Sequence, residues 1–117
     1  MELELKRGGR TARVETLGGE LVSYRDERGL EYIWGGDPAY WPGRNPLLFP
    51  IVGMLKEGKI RFDGREYAME RHGFARRREF TPAARGEDWV RLELRESAET
   101  LALYPYPFRL AVEQRLT

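Results

Sequence analysis

The chain has 117 residues, a length that suits one domain with its own hydrophobic core. Hydrophobic residues make up 41% and charged residues 33%, a balance typical of globular proteins and unlike that of disordered chains. The 20 basic and 19 acidic residues leave a net charge of +1, which argues against general affinity for nucleic acid or membranes. No apolar run is long enough for a membrane span, and the first residues lack a signal-peptide core. We therefore expect a cytoplasmic protein.

Several residue types are scarce. Cysteine is absent and His72 is the only histidine, so we expect neither a disulfide framework nor a zinc site, and we predict no cofactor. Arginine outnumbers lysine 17 to 3, and Asn45 and Gln114 are the only side-chain amides. This bias fits a thermophile. A GC-rich genome would produce the same excess of arginine.

Alternation of apolar and polar residues with a period of two dominates the chain. In chain order it predicts strands at 2–6, 11–16, 20–26, 31–34, 47–52, 59–62, 66–69, 78–81, 89–95 and 108–116. Glycine pairs separate several of them, and Asp63-Gly64 is a strong hairpin signal. One short helix is predicted at 97–103, with Ser97 as its N-cap. The pattern predicts an all-β fold, an antiparallel β-sandwich.

The alternation at 108–116 continues to the end of the chain. A long terminal strand with one apolar face leaves an unpaired edge or an uncovered face, which native proteins normally avoid. We therefore expect either of two arrangements. Another polypeptide covers the face, as in a homodimer or with a separately encoded C-terminal half, or the chain is the N-terminal part of a larger sandwich.

Polar side chains that suit a small ligand are concentrated in the segment 44–78. Arg44 precedes an apolar segment bracketed by prolines, and His72 lies in a glycine-containing loop between Arg71 and Arg76. Polar groups on loops at the ends of strands are a common way to bind a small polar molecule. Guanidinium groups bind hydroxyl or phosphate oxygens, and a neutral imidazole donates one hydrogen bond and accepts another. The pattern favours a sugar site.

Six segments form a recognisable series along the chain. They are 19–26, 31–41, 45–53, 58–69, 72–76 and 99–108. The most specific are Phe49-Pro-Ile-Val-Gly53 and, after it, His72-Gly-Phe-Ala-Arg76. Together they resemble the aldose 1-epimerase (galactose mutarotase-like) superfamily, in particular the branch with bacterial LacX-type proteins and hexose-6-phosphate epimerases.

The resemblance implies a fold, a reaction and a set of binding residues. The family fold is a large antiparallel supersandwich, of which residues 1–117 would be a single domain truncated at its C-terminus. The family reaction interconverts the α and β anomers of an aldose: a carboxylate removes the proton of the anomeric hydroxyl while a histidine protonates the ring oxygen. By motif, Arg44, His72 and Arg76 are implied to bind a hexose or hexose phosphate, and Arg71 to add a phosphate contact or surface charge.

Departures from the family pattern limit what this chain is expected to do. Met54 stands where the branch frequently has arginine. The acid histidine and the base glutamate of the family lie in its C-terminal half, and this chain has no second histidine. We expect an isomerase-like protein that is inactive as this chain alone. The alternatives are a carbohydrate-binding module without catalysis, and a structural half completed by another chain.

Three aromatic residues precede the apolar segment: Trp34, Tyr40 and Trp41. Rings of this kind stack on sugars in some proteins. Near a Gly-Asp-Pro turn they more often cover the end of a sandwich core, and that is the interpretation we favour from sequence.

Overall fold

A computed structural model describes all residues from Met1 to Thr117. It contains eight strands and one α-helix, with short 3₁₀ turns at Lys56–Gly58 and Ala75–Arg77. In chain order the elements are β1 (Glu2–Arg7), β2 (Arg10–Glu15), β3 (Glu20–Arg25), β4 (Lys59–Phe62), β5 (Arg65–Ala68), β6 (Thr81–Arg85), β7 (Trp89–Arg95), α1 (Ala98–Leu103) and β8 (Arg109–Arg115). All three sheets are antiparallel, which confirms the predicted all-β fold class.

The first sheet is the meander β1-β2-β3. Leu3 lies opposite Val14 and Leu5 opposite Ala12, and all four side chains are buried. The period of two in the sequence therefore places one face of each strand in the core. Gly18 lies in the turn that connects β2 to β3.

The remaining strands form the hairpin β4-β5 around Asp63-Gly64 and a second meander, β6-β7-β8. The central strand β7 buries Val90, Leu92 and Leu94. A single core joins these sheets to the loops between them. Its buried members are Leu3, Leu5, Ala12, Val14, Met69, Phe74, Ala75, Phe80, Val90, Leu92, Leu94 and Leu116.

Segment 47–52 is not a strand, contrary to the prediction, although its alternation is real. Leu47, Phe49 and Ile51 pack against the core, whereas Val52 is exposed. The flanking and internal prolines have no N–H group to donate to a ladder, so the segment stays extended without pairing along its length. Its one sheet-like contact is a parallel bridge between Phe49 and Gly73.

Two further strand predictions were wrong. Segment 31–34 pairs with β3 only at the isolated Arg25–Glu31 bridge and through the Tyr32 N–H, which donates to the Tyr24 carbonyl. It then leaves the sheet as a loop, in which the Glu31 carboxylate accepts the Ile33 N–H. The strand predicted at 78–81 begins only at Thr81, after a 3₁₀ turn. The observed strand β6 contains a proline and two alanines, which gave no strand signal in the sequence. All of β6 is exposed at the sheet edge, where proline is tolerated.

The molecule is a flat slab that measures 54 × 34 × 20 Å. Its radius of gyration is 16.3 Å, against about 13 Å for a compact chain of this length. It exposes 7570 Å², whereas a compact monomer of 13.7 kDa exposes about 6600 Å². About 1000 Å² of surface is therefore exposed beyond what a compact domain of this size leaves in solvent.

The single α-helix has six residues, and no helix of the structure combines the length and apolarity needed to cross a bilayer.

Candidate functional site

Main-chain hydrogen bonds hold the two most specific sequence motifs side by side. The Phe49 carbonyl accepts the N–H groups of Phe74 at 2.9 Å and Ala75 at 3.2 Å. Gly73, immediately before Phe74, has a φ of 71°, and a Cβ added to it would overlap the Phe49 carbonyl oxygen. Only glycine permits this approach. Glycine in the His-Gly-Phe segment is therefore a requirement of the backbone at this contact.

His72 is fixed by a reciprocal pair of hydrogen bonds with Gly53. The N–H of His72 donates to the Gly53 carbonyl, and the N–H of Gly53 donates to Nδ1 of His72, each at 2.8 Å. A nitrogen that accepts carries no proton, so Nε2 bears the proton of the neutral ring. The sequence predicted one donor and one acceptor for a ligand. In the structure Gly53 occupies the acceptor, and the half-buried imidazole keeps one donor.

Arg71 and Arg76 belong to the same loop as His72. A terminal nitrogen of Arg76 donates to the Arg71 carbonyl at 3.2 Å, and the Nε of Arg76 is buried without a hydrogen-bond partner. The Arg71 side chain is exposed and reaches the sulfur of Met54 at 3.8 Å. These contacts gather the two arginines and Met54 around the histidine loop.

Arg44 is held by a different set of contacts. Its main-chain N–H donates to the Glu20 carboxylate at 3.0 Å, and its guanidinium donates to the Gly35 carbonyl at 3.1 Å. It makes no hydrogen bond to Arg71, His72 or Arg76. Arg71, His72 and Arg76 thus share one loop, whereas Glu20 and Gly35 hold Arg44.

Sequence reasoning missed Glu20, which positions Arg44. One oxygen of its carboxylate accepts two main-chain N–H groups, from Arg44 and from Asn45 at 2.6 Å. The turn immediately before Glu20 contacts the segment that follows the histidine loop. The N–H of Gly18 donates to the Arg78 carbonyl at 2.8 Å, and a Cβ added to Gly18 would lie 2.8 Å from the Arg76 carbonyl oxygen. The turn into β3 is therefore the element that both groups share. An acidic residue after a glycine pair was the only signal in the sequence.

The most strongly perturbed carboxylate is Glu31, in the loop that follows β3. Partial burial opposes its ionisation, but hydrogen bonds from the Ser23 hydroxyl and the N–H groups of Tyr24, Ile33 and Tyr32 outweigh that effect and lower its pKa to about 2. The carboxylate is thus a structural acceptor that orders the loop. It is a weak base at neutral pH because its oxygens already accept four donors.

An apolar hollow lies beside the histidine loop, on the side of β5 and α1. Its volume is about 510 Å³, and its walls include Met69, Phe74 and Leu103 with Arg77 and Arg78 at the rim. The rim arginines are engaged in ion pairs, Arg77 with Glu70 and Arg78 with Glu99. None of the four predicted site residues lines this hollow.

Comparison with known proteins agrees with the series of motifs. The sequence model of the aldose 1-epimerase family matches residues 1–117, and the chain belongs to this family. It is 41% identical over 117 residues to "Protein LacX, plasmid" of Lactococcus lactis subsp. lactis, with 96% of this chain and 39% of that protein covered. The chromosomal LacX protein of the same organism is 40% identical over the same shares.

Solved structures agree at the level of the backbone. The galactose mutarotase related enzyme from Lactobacillus acidophilus superposes with a TM-score of 0.97 at 28% identity, covering 100% of this chain and 39% of that one. A galactose mutarotase-like protein from Lactobacillus casei gives 0.96 at 30% identity, with 100% and 40% covered. The chain thus spans about two fifths of the length of these relatives.

Proposed function

We propose that this chain carries the sugar-recognition part of an aldose 1-epimerase-like isomerase. It binds a hexose or hexose phosphate through Arg44, Arg71, His72 and Arg76. The observation that carries the proposal is the fixed tautomer of His72: its hydrogen bond with Gly53 leaves a single oriented donor, Nε2–H, for a sugar oxygen.

The two neighbouring arginines support the same proposal. The buried Nε of Arg76 has no partner within the protein, and an unsatisfied buried donor costs about 1–3 kcal/mol. The terminal nitrogens of Arg76 carry further N–H groups for ligand oxygens, and the structure gives them one hydrogen bond, to the Arg71 carbonyl. Arg71 is exposed and free of ion pairs, so its guanidinium is available to hydroxyl or phosphate oxygens.

Catalysis by this chain alone is not part of the proposal. Anomer exchange needs an acid and a base on either side of the ring, each with a pKa near the working pH. The chain has one histidine, whose Nδ1 is already bonded, and the carboxylate with the largest shift, Glu31, has a pKa of about 2. We therefore propose that these 117 residues bind the sugar without opening its ring.

Two measurements on the same preparation test the proposal. Calorimetric titration with galactose and glucose 6-phosphate should detect binding that Arg76→Ala abolishes and Arg65→Ala leaves unchanged. Arg65 is the matched control because it is exposed on β5, away from the site. Exchange NMR of the same sugars should show no anomer exchange above the buffer rate. Absence of heat with every hexose and hexose phosphate contradicts the binding claim, and fast exchange that His72→Ala removes contradicts the claim of inactivity.

A second candidate role is assembly with another polypeptide, either a copy of this chain or a separately encoded C-terminal half. The excess exposed surface of about 1000 Å² favours it, since a standard interface buries about 800 Å² on each partner. Strand β8 lies at a sheet edge, and Leu110 and Val112 on its inner face are only half-buried. Light scattering after size exclusion decides this role: a monodisperse monomer at high concentration rules out the homodimer.

A further inference from the structure

Three aromatic side chains that the sequence placed at the end of the core are exposed instead. Trp34 is 45%, Tyr40 is 81% and Trp41 is 50% exposed. The favoured sequence interpretation, in which these rings cover the sandwich core, was wrong. None of the three belongs to the core or packs against it. Exposed tryptophan and tyrosine at adjacent positions require another explanation.

The rings stand on an ordered loop, residues 34–44, which we call the aromatic loop. The indole N–H of Trp34 donates to the Trp41 carbonyl at 2.8 Å and so closes the loop. The Asp37 carbonyl accepts the N–H groups of Tyr40 at 3.0 Å and Trp41 at 2.9 Å. Trp34 and Tyr40 meet edge to face, with centroids 6.3 Å apart and planes at 76°. The rings are therefore held in place before any ligand arrives.

The Trp41 ring lies against the backbone of Gly43. A Cβ added to Gly43 would lie 2.6 Å from the ring, so this close contact requires glycine. One side of the indole is covered and about half of the side chain remains open. At the end of the same loop, the Arg44 guanidinium donates one hydrogen bond to Gly35 and retains further N–H groups. The loop thus combines exposed aromatic rings with a guanidinium that has N–H groups to spare.

We propose that the aromatic loop binds the apolar face of a hexopyranose ring, while Arg44 binds its hydroxyl groups. The inference rests on the proposed sugar-binding function and adds a contact to it. A pyranose has one face rich in C–H groups and a rim of hydroxyls, which matches aromatic rings bordered by donors. Rigid tryptophan and tyrosine rings offer this contact at low entropic cost.

The size of the patch favours a sugar over a protein partner. A stable protein interface takes about 20–30 residues and 800 Å² from each side. Three rings and one guanidinium are far fewer than that, whereas a single sugar ring needs only a few such contacts. The family to which the chain belongs acts on aldoses, as its name states.

Indole NMR signals provide the test, because the chain has three tryptophans and only two lie in the aromatic loop. Trp89 lies on β7 and serves as the internal control. The ligand is methyl β-D-galactopyranoside, whose blocked anomeric oxygen prevents ring opening. We expect its titration to shift the indole signals of Trp34 and Trp41 and to leave that of Trp89 unchanged. Tyr40→Ala should weaken the affinity about 2- to 10-fold, and Tyr106→Ala should not.

The outcomes separate this inference from the proposed function. Unchanged Trp34 and Trp41 signals at saturating galactoside, or an equal shift of Trp89, overturn the inference. If free galactose then still shifts the His72 imidazole signals, the proposed function stands without the aromatic contact. At a subsaturating galactoside concentration we expect His72→Ala to weaken the shift of the two loop signals, because both parts contact the same sugar, and an equal shift in wild type and His72→Ala contradicts the claim that the loop adds a contact to the proposed site.

Discussion

His72 and Gly53 exchange two hydrogen bonds, each 2.8 Å long, and through them the two family motifs become one structural unit. The contact uses the acceptor nitrogen of the only imidazole and leaves its other nitrogen as a donor. Backbone geometry supports it from the same loop, because His72 has a φ of 62°. Asparagine tolerates this left-handed conformation far better than alanine does.

This geometry yields a prediction that separates structure from binding. His72→Ala loses the bond from Gly53 and strains the backbone, so we expect it to lower the free energy of unfolding by about 1–3 kcal/mol. His72→Asn keeps an acceptor oxygen near Gly53 and should cost less. Neither variant retains the Nε2–H donor, so both should lose affinity for galactose and glucose 6-phosphate. Urea denaturation and calorimetry measure the two effects. Wild-type affinity in His72→Asn would show that the imidazole donor does not contact the sugar.

A second prediction concerns the close contact between Gly73 and Phe49. Gly73→Ala forces the new methyl group against the Phe49 carbonyl, so we expect a loss of more than about 2 kcal/mol of stability. Gly64→Ala is the matched control. Gly64 has a similar φ of 77°, against 71° for Gly73, but no atom lies within 4 Å of its added Cβ. The control should cost about 1 kcal/mol, the backbone penalty alone. Equal losses in thermal or urea unfolding would contradict the steric account.

A third prediction is the pH dependence caused by Glu31. Its pKa of about 2 in the folded chain lies below the ordinary value of 4.5. A lowered pKa stabilises the fold above the unfolded pKa, and the contribution is lost as the pH falls from 4.5 to 2. Thermal melts over this range should show a decline that Glu31→Gln reduces. Glu66→Gln, at an exposed position on β5, should leave the profile unchanged. Identical dependence of the melting temperature on pH in wild type and Glu31→Gln would show that this carboxylate does not stabilise the fold.

A fourth prediction tests Glu20 as the anchor of Arg44. Glu20→Ala removes the acceptor of two N–H groups and should release the segment around Arg44 and Asn45 from β3. Hydrogen exchange at these two amides should accelerate at least about tenfold, which corresponds to the loss of 1.4 kcal/mol of protection. Glu2→Ala on β1 removes an exposed carboxylate elsewhere and serves as the control. Unchanged exchange at both amides would show that Glu20 does not hold the loop.

Alternation along the chain predicted most of the fold because the buried faces of β1, β2 and β7 follow a strict period of two. It failed where side chains or prolines replaced strand pairing. At 31–34 pairing with β3 stops after one bridge and the Glu31 carboxylate accepts the Ile33 N–H, and beside and within 47–52 Pro46 and Pro50 have no N–H group. Pairing is a property of two segments, so the pattern of one segment does not reveal it.

The candidate site was predictable in its residue types and less so in its arrangement. The motif around His72 identified the histidine loop, and the structure adds that Gly53 occupies one nitrogen. The sequence grouped Arg44 with His72 as a ligand contact, which stays a prediction, and it did not reveal that Glu20 and Gly35 hold Arg44. These partners lie 24 and 9 residues away in the sequence. Contacts over such separations depend on how the whole chain folds, so a local sequence pattern does not predict them.

Nitrogen-15 NMR of the His72 imidazole tests the central claim most directly. The account predicts a neutral ring with the proton on Nε2, and a change in the Nε2 signal when galactose or glucose 6-phosphate binds, while Nδ1 stays bonded to Gly53. A proton on Nδ1, or an imidazole whose two nitrogen signals do not move at saturating concentrations of a sugar that calorimetry shows to bind, would contradict it.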